Sequence, residues 1–115
     1  MATLSIEKKI LGDFTVFVLK GELIVSTLAA LKKKVQDEFT GNKFYMAIDM
    51  LGVSQIDSSA LGLINNIKKK TDEKEGHFVL FSVPPHALQS LTETGILGNI
   101  VIVKNEEEFK DNFIL

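Results

Sequence analysis

The sequence contains no cysteine. That removes thiol nucleophiles, disulfides and cysteine-ligated zinc or iron–sulfur sites in one step, and it fits an intracellular, cytoplasmic home. No apolar run approaches the roughly 18 to 20 residues that a bilayer-spanning helix needs, so membrane insertion is not expected. The opening "MATLSIEKKILGDF" carries Glu7, Lys8 and Lys9 and has no long apolar core, so it does not read as a secretory signal. Neither sign of charge dominates: 13 basic and 15 acidic side chains leave a net charge of −2. Broad affinity for nucleic acid is therefore not expected.

Several catalytic patterns are missing as well. The glycines never gather into GxGxxG or a P-loop, so the usual signal of a phosphate cradle is absent. His77 and His86 have no partners at metal-ligand spacing, and neither a metal nor a cofactor is expected. Ser58, His86 and Asp57 are the residue types of a hydrolytic triad. Asp57 next to Ser58 in the chain is not the required geometry, however, and no nucleophile elbow surrounds the serine. Repeats, linkers and low-complexity segments are also lacking.

What is present is a chain of 115 residues, 45% hydrophobic and 24% charged, the composition of one ordinary folded domain. Residues 4–11 and 14–20 read as two strands joined at Gly12-Asp13, a hairpin that Gly21 then ends. In the second strand Phe14, Val16 and Val18 alternate with Thr15, Phe17 and Leu19, so both faces are apolar and both are expected to be covered. Ser26 or Thr27 is placed to cap a helix through about Phe39, with Leu28, Leu31 and Val35 inward and Lys32, Lys33 and Lys34 toward solvent. Gly41-Asn42 ends it, and residues 44–50 (FYMAIDM) read as a central strand.

A second helix follows Asp57 and runs to about Thr71, with Gly76 as its terminator. Residues 77–83 form another strand, stopped by Pro84-Pro85; Pro85 suits the first turn of a helix carrying Leu88 and Leu91 before Gly95. Residues 99–103 are a last short strand. Asn105 then caps a terminal helix with Glu106, Glu107 and Glu108 in its first turn and Phe109 and Phe113 inward. The order β-β-α-β-α-β-α-β-α predicts an α/β fold with a mostly parallel sheet behind an antiparallel hairpin, and about four helices.

The helix after Asp57 has two stripes. Ala60, Leu63, Ile64 and Ile67 repeat at helical spacing and form the expected core face. Ser58, Leu61, Gly62 and Asn65 repeat the same spacing on a neighbouring face that is small, flat and mildly apolar, with Leu61 expected to be exposed. A purely solvated face would carry more Lys or Glu, as Lys68, Lys69 and Lys70 do further on, so a partner-binding surface is one reading. The serines allow two readings. Asp57 is a good N-cap and Ser58 and Ser59 are ordinary first-turn residues. Alternatively, Ser58 accepts a phosphate, which the unpaired amides and positive dipole of a helix start tolerate.

The blocks "GELIVSTLAALKKKV", "MAIDMLGVSQIDSSALGLI" and "VLFSVPPHALQSLTETGIL" resemble, in order, successive blocks of the bacterial anti-sigma factor antagonists, single-domain STAS proteins. The resemblance implies one STAS domain over residues 1–115. It also implies that the serine directly after the aspartate, here Ser58, is a phosphorylation site. On this basis Asp57, Ser59, Leu61, Gly62, Asn65 and Glu22 form the partner-binding set. The implied partners are an anti-sigma factor that is a serine kinase, bound by the unphosphorylated protein, and a metal-dependent serine phosphatase that resets it. The protein would then be a substrate and binding module rather than an enzyme, with a monomer as the default state. The same features fit a non-cycling STAS scaffold subunit of a lipid-transport or stress-signalling assembly; a small-ligand or nucleotide sensor has only the fold behind it.

Two residues depart from the family pattern. Ala60 stands where glycine is common, and Ile24 where an acidic residue is frequent. Asp49, at the end of the expected central strand, matches a frequent family aspartate and is expected to organise its loop through hydrogen bonds, the alternative being a direct role at the kinase.

Overall fold

A computed structural model describes residues 2–95 and 100–114. Its elements are β1 (Leu4–Leu11), β2 (Phe14–Leu23), α1 (Leu28–Thr40), β3 (Tyr45–Ile56), α2 (Ser58–Glu73), β4 (His77–Phe81), α3 (Pro85–Glu93), β5 (Val101–Val103) and α4 (Glu106–Phe113). They form one five-stranded sheet in sequential order, β1-β2-β3-β4-β5. The β1–β2 pair is antiparallel and the remaining pairs are parallel. This is the mixed, mostly parallel sheet expected from the alternation of elements.

Sequential parallel strands joined by right-handed crossovers put α1, α2 and α3 on one face. The main core lies there, where Leu28, Leu31 and Val35 of α1 meet Ala60, Ile64 and Ile67 of α2 over Phe17, Ile48 and Leu80. The opposite face carries a smaller core, in which Phe109 of α4 packs on Phe14, Val16, Ala47, Val79 and Phe81. Having cover on both sides is why β2 is apolar on alternate and intervening positions alike. The ring of Phe109 stands edge-on to Phe14 at 5.0 Å and stacks with Phe81 at 5.2 Å.

The hairpin turn is the two residues expected, with Leu11 paired to Phe14 and Gly12 at φ +58°. Gly21 does not end β2, contrary to the sequence expectation. The strand continues to Leu23 with register shifts at Val18/Lys20 and at Gly21/Glu22. Gly21 is needed for close approach: a Cβ there would lie 2.3 Å from the Thr3 carbonyl oxygen. The third strand is also longer than residues 44–50 and reaches Ile56. Its polar second half hid it, because Gly52, Ser54 and Gln55 are exposed there while Val53 is buried in the core and Ile56 packs against it half-buried.

Helix ends follow the expected caps with two differences. Asn105 Oδ1 accepts from the Glu108 amide at 2.9 Å, capping α4 as expected. Thr27 occupies the N-cap position of α1, but its side chain makes no cap bond. After α2 the left-handed residue is Glu75 (φ +57°), whereas Gly76 is required because a Cβ would sit 2.0 Å from the Phe44 carbonyl oxygen. In α3 the inward residues are Ala87 and Leu91, and Leu88 is 39% exposed. Phe109 is fully buried and Phe113 half-buried. Asn99, expected to open the last strand, lies outside the described residues.

One buried carboxylate ties the lower end of α1 to the hairpin. Glu38 accepts from Thr15 Oγ1 at 2.6 Å and from Lys8 Nζ at 2.8 Å. Burial opposes its ionisation most strongly, but the bonds from Lys8 and Thr15 and the charges of Lys8 and Lys43 together outweigh it. They hold the carboxyl below the usual glutamate range.

Candidate functional site

The C-terminal ends of β2 and β3 lie side by side, with Glu22 paired to Gln55 and Leu23 to Ile56. The chain leaves β2 into the 24–27 loop and leaves β3 directly into α2, so the two departures meet. Asp57 joins them. Its Oδ1 accepts from the Ala60 amide at 3.0 Å and its Oδ2 from the Val25 amide at 2.9 Å. Its own amide donates to the Leu23 carbonyl at 3.3 Å. The expected cap is therefore present, and the same carboxylate also holds the neighbouring loop.

Within that loop Thr27 Oγ1 accepts from the Ile24 amide at 3.1 Å and donates to the Glu22 carbonyl at 2.7 Å. This is why Thr27 does not cap α1: its hydroxyl is spent turning the loop back on itself. Val25 is consequently held out at 69% exposure. An apolar residue displayed beside Ser58 was missed in the sequence. The available signal was a valine between a strand end and a Ser-Thr pair, where a loop is normally polar.

Ser58 and Ser59 are both exposed, in the first turn of α2. The Ala60 amide is taken by Asp57 Oδ1 and the Leu61 amide by the Asp57 carbonyl at 3.1 Å. The Ser58 and Ser59 amides precede any intrahelical acceptor, as the first donors of every helix do. Gly62 is exposed, and a Cβ added to it would meet no atom of the described residues within 4 Å. Asn65 is half-buried one turn further on, and Glu22 is half-buried at the strand end.

Leu61 is a correction. Expected on the exposed stripe, it is only 6% exposed and belongs to the main core with Ala60, Leu63, Ile64 and Ile67. It lies about 60° around the helix from Ser58, and α2 packs between its neighbours on an apolar arc wider than one stripe. The surface that remains is Ser58, Ser59, Gly62 and Asn65, flanked by Val25 and Glu22. Ala60, where the family commonly has glycine, is fully buried, so its methyl points into the core rather than at this surface. Asp49, expected at a strand end and organising a loop, instead lies inside β3; its Oδ1 accepts from the Leu51 amide at 3.0 Å within the strand, where the β2–β3 register shifts between Val18 and Lys20. No triad assembles: Asp57 is committed to Val25 and Ala60, and His86 Nε2 lies 3.1 Å from the Val53 carbonyl oxygen. Among the described residues no cluster of metal-ligating side chains is found, and no helix is long and apolar enough to cross a membrane.

A parallel sheet behind an antiparallel hairpin, with an Asp-Ser-Ser helix start at the carboxyl end of its third strand, defines a class of protein. The STAS domain family matches over residues 5–109, and the chain belongs to that family. Among solved structures it is similar to a Thermotoga maritima protein, TM1081, whose proposed role is that of an anti-sigma factor antagonist; the two share 27% identity over 93% of this chain and 92% of that one, with a TM-score of 0.83. The fold is also that of the Bacillus anti-sigma factor antagonist SpoIIAA. Its unphosphorylated form superposes with a TM-score of 0.76 at 19% identity, over 94% of this chain and 96% of that one. A further fold match is Moorella thermoacetica RsbS, solved as a serine-to-glutamate variant, at 20% identity and a TM-score of 0.78 over 93% and 92% of the two chains. No curated protein sequence matched.

Proposed function

We propose that this protein is an anti-sigma factor antagonist that works by partner switching, as a single cytoplasmic domain without catalytic activity of its own. In its unphosphorylated form it docks on a serine-kinase anti-sigma factor through Ser58, Ser59, Gly62 and Asn65, with Val25 and Glu22 at the rim, and so frees the sigma factor. The kinase ends the interaction by phosphorylation. Ser58 Oγ attacks the γ-phosphorus of ATP, its proton passes to a base of the kinase, and ADP leaves. A metal-dependent serine phosphatase hydrolyses the ester and resets the protein.

The observation that carries this reading is the exposed Ser58 hydroxyl at the start of α2, beside a glycine with open space above it. A phosphate there adds about −1.5 to −2 charges to an otherwise weakly polar surface. The helix start accommodates it, since free amides and the positive dipole end face it. A partner already closely seated on Gly62 does not.

The test is incubation with the kinase and Mg-ATP followed by intact-mass measurement. One phosphate should be gained by the wild type and none by Ser58→Ala. A gain that persists in Ser58→Ala would move the site elsewhere, and no gain in the wild type would remove the switch. Ser58→Asp should lose kinase binding while keeping its fold.

A further inference from the structure

On the helical face of the sheet α1 and α2 run parallel, because both cross between parallel strands, and a groove of about 550 Å³ opens between them. Its floor is apolar: Val35 and Phe39 from α1, Leu63 and Ile67 from α2. Its walls carry Lys32 and Lys33 on α1 and Lys70 on α2. Ser58, Gly62 and Asn65 lie on a neighbouring stripe of α2, while Ser59 stands at the head of the groove's own stripe, four residues before Leu63. We propose that the groove docks an acidic amphipathic helix from a partner protein.

The placement of the charges selects that occupant. Lys32 lies at the upper end of the groove, near the start of α1, and Lys70 at the lower end, near the close of α2. Leu63 and Lys70 are seven residues apart, about 10.5 Å or two helical turns along α2. A single-headed amphiphile, such as a fatty acid, would meet the cation at one end and leave the other unmatched. A helix lying along the groove can place apolar residues at i, i+3, i+4 and i+7 on the floor and acidic residues two turns apart at both ends. Among the described residues Lys32 and Lys70 have no carboxylate at ion-pair distance, whereas Lys33 has Asp37 at 3.5 Å. Lysine stems extend the apolar walls while their heads stay in water. Gln36 and Asn66 add uncharged polar groups at the rim. In a chain of net charge −2, this is a locally basic and apolar trough.

The probe is a fluorescein-labelled designed helix of about 18 residues, with leucines at i, i+3, i+4 and i+7 and glutamates flanking them two turns apart. Anisotropy titration should give saturable binding that weakens with added salt. Amide exchange should show protection confined to α1 and α2. The double variant Lys32→Glu/Lys70→Glu, its fold checked by circular dichroism, should bind at least about tenfold more weakly. It should also prefer a peptide with lysines in place of the glutamates. Ser58→Asp should bind the probe as the wild type does, so this surface and the phosphorylation switch can fail separately. The proposal is overturned by absence of binding, by equal affinity for the wild type and the double variant, or by oleate protecting the same amides where the peptide does not.

Discussion

Asp57 links segments 32 residues apart in the chain, from Val25 to its own position, and does so with both carboxylate oxygens. An N-cap alone contributes about 1 kcal/mol. Asp57→Ala also strips the Val25 amide of its acceptor, so it should cost about 1–2 kcal/mol, measured by urea unfolding. It should raise amide exchange at Val25 and Ala60 more than elsewhere. Asp57→Asn, which keeps one acceptor oxygen, should recover part of the loss. Glu38 is the other carboxylate with structural consequences. Its folded pKa lies below the unfolded one, so its contribution is complete above the ordinary glutamate value of about 4.3 and is lost as pH falls through the lower, folded value. Glu38→Gln should therefore be less stable than the wild type near neutral pH. The gap between the two should narrow in urea melts as the pH is lowered through that window.

At the scale of elements, α2 carries the informative conflict. A glycine inside a helix costs about 1 kcal/mol relative to alanine, and none of the described residues comes within 4 Å of the site where a Cβ of residue 62 would stand. Intramolecular packing therefore does not require glycine there. Gly62→Ala should raise thermal stability by about 1 kcal/mol and, if a partner seats closely on this face, weaken kinase binding in the same protein. Opposite signs in the two measurements separate a surface kept small for docking from one that is merely tolerated. A stabilised variant with unchanged binding would take Gly62 out of the interface. Gly76 and Gly21 have the other origin, since each lies against a backbone carbonyl that a Cβ would strike.

At the scale of the whole molecule, the sheet is covered by three helices on one face and by α4 on the other. On the α4 face Phe109 is the fully buried residue, set among Phe14, Val79 and Phe81, with Phe113 half-buried beside it. Phe109→Ala should cost about 3–5 kcal/mol, a large part of the stability of a domain this size, read as a lowered melting temperature. Distance should spare the Ser58 surface, which stands on the opposite face's helix. At a temperature where the variant is folded, the proposed phosphorylation at Ser58 should proceed as in the wild type. Sequential strand order also explains why the site is where it is. In open parallel sheets the loops at the carboxyl ends of strands gather, and here they bring the 24–27 loop against the start of α2.

Much of this arrangement was legible from local pattern. Alternation and helical spacing placed the nine elements found among the described residues, the two-sided cover of β2, and the Asp57 and Asn105 caps, because those depend on residues close together in the chain. Local pattern leaves Ser58 and Ser59 open between helix-start and phosphate-accepting roles, and only the resemblance of the "IDSSALGL" block to the family picks Ser58 as the residue to test. Tertiary structure decided the rest. It continued β2 through Gly21 and β3 to Ile56, since strand pairing can carry polar and glycine residues that have no strand preference alone. It buried Leu61, because the width of a helix's apolar arc is set by how many neighbours pack around it. It turned Thr27 away from its cap and displayed Val25, because the hydroxyl found partners at Glu22 and Ile24 and Asp57 reached across from another strand. Periodicity records which way a side chain points along its own element; what stands opposite that side chain is determined only when the elements come together.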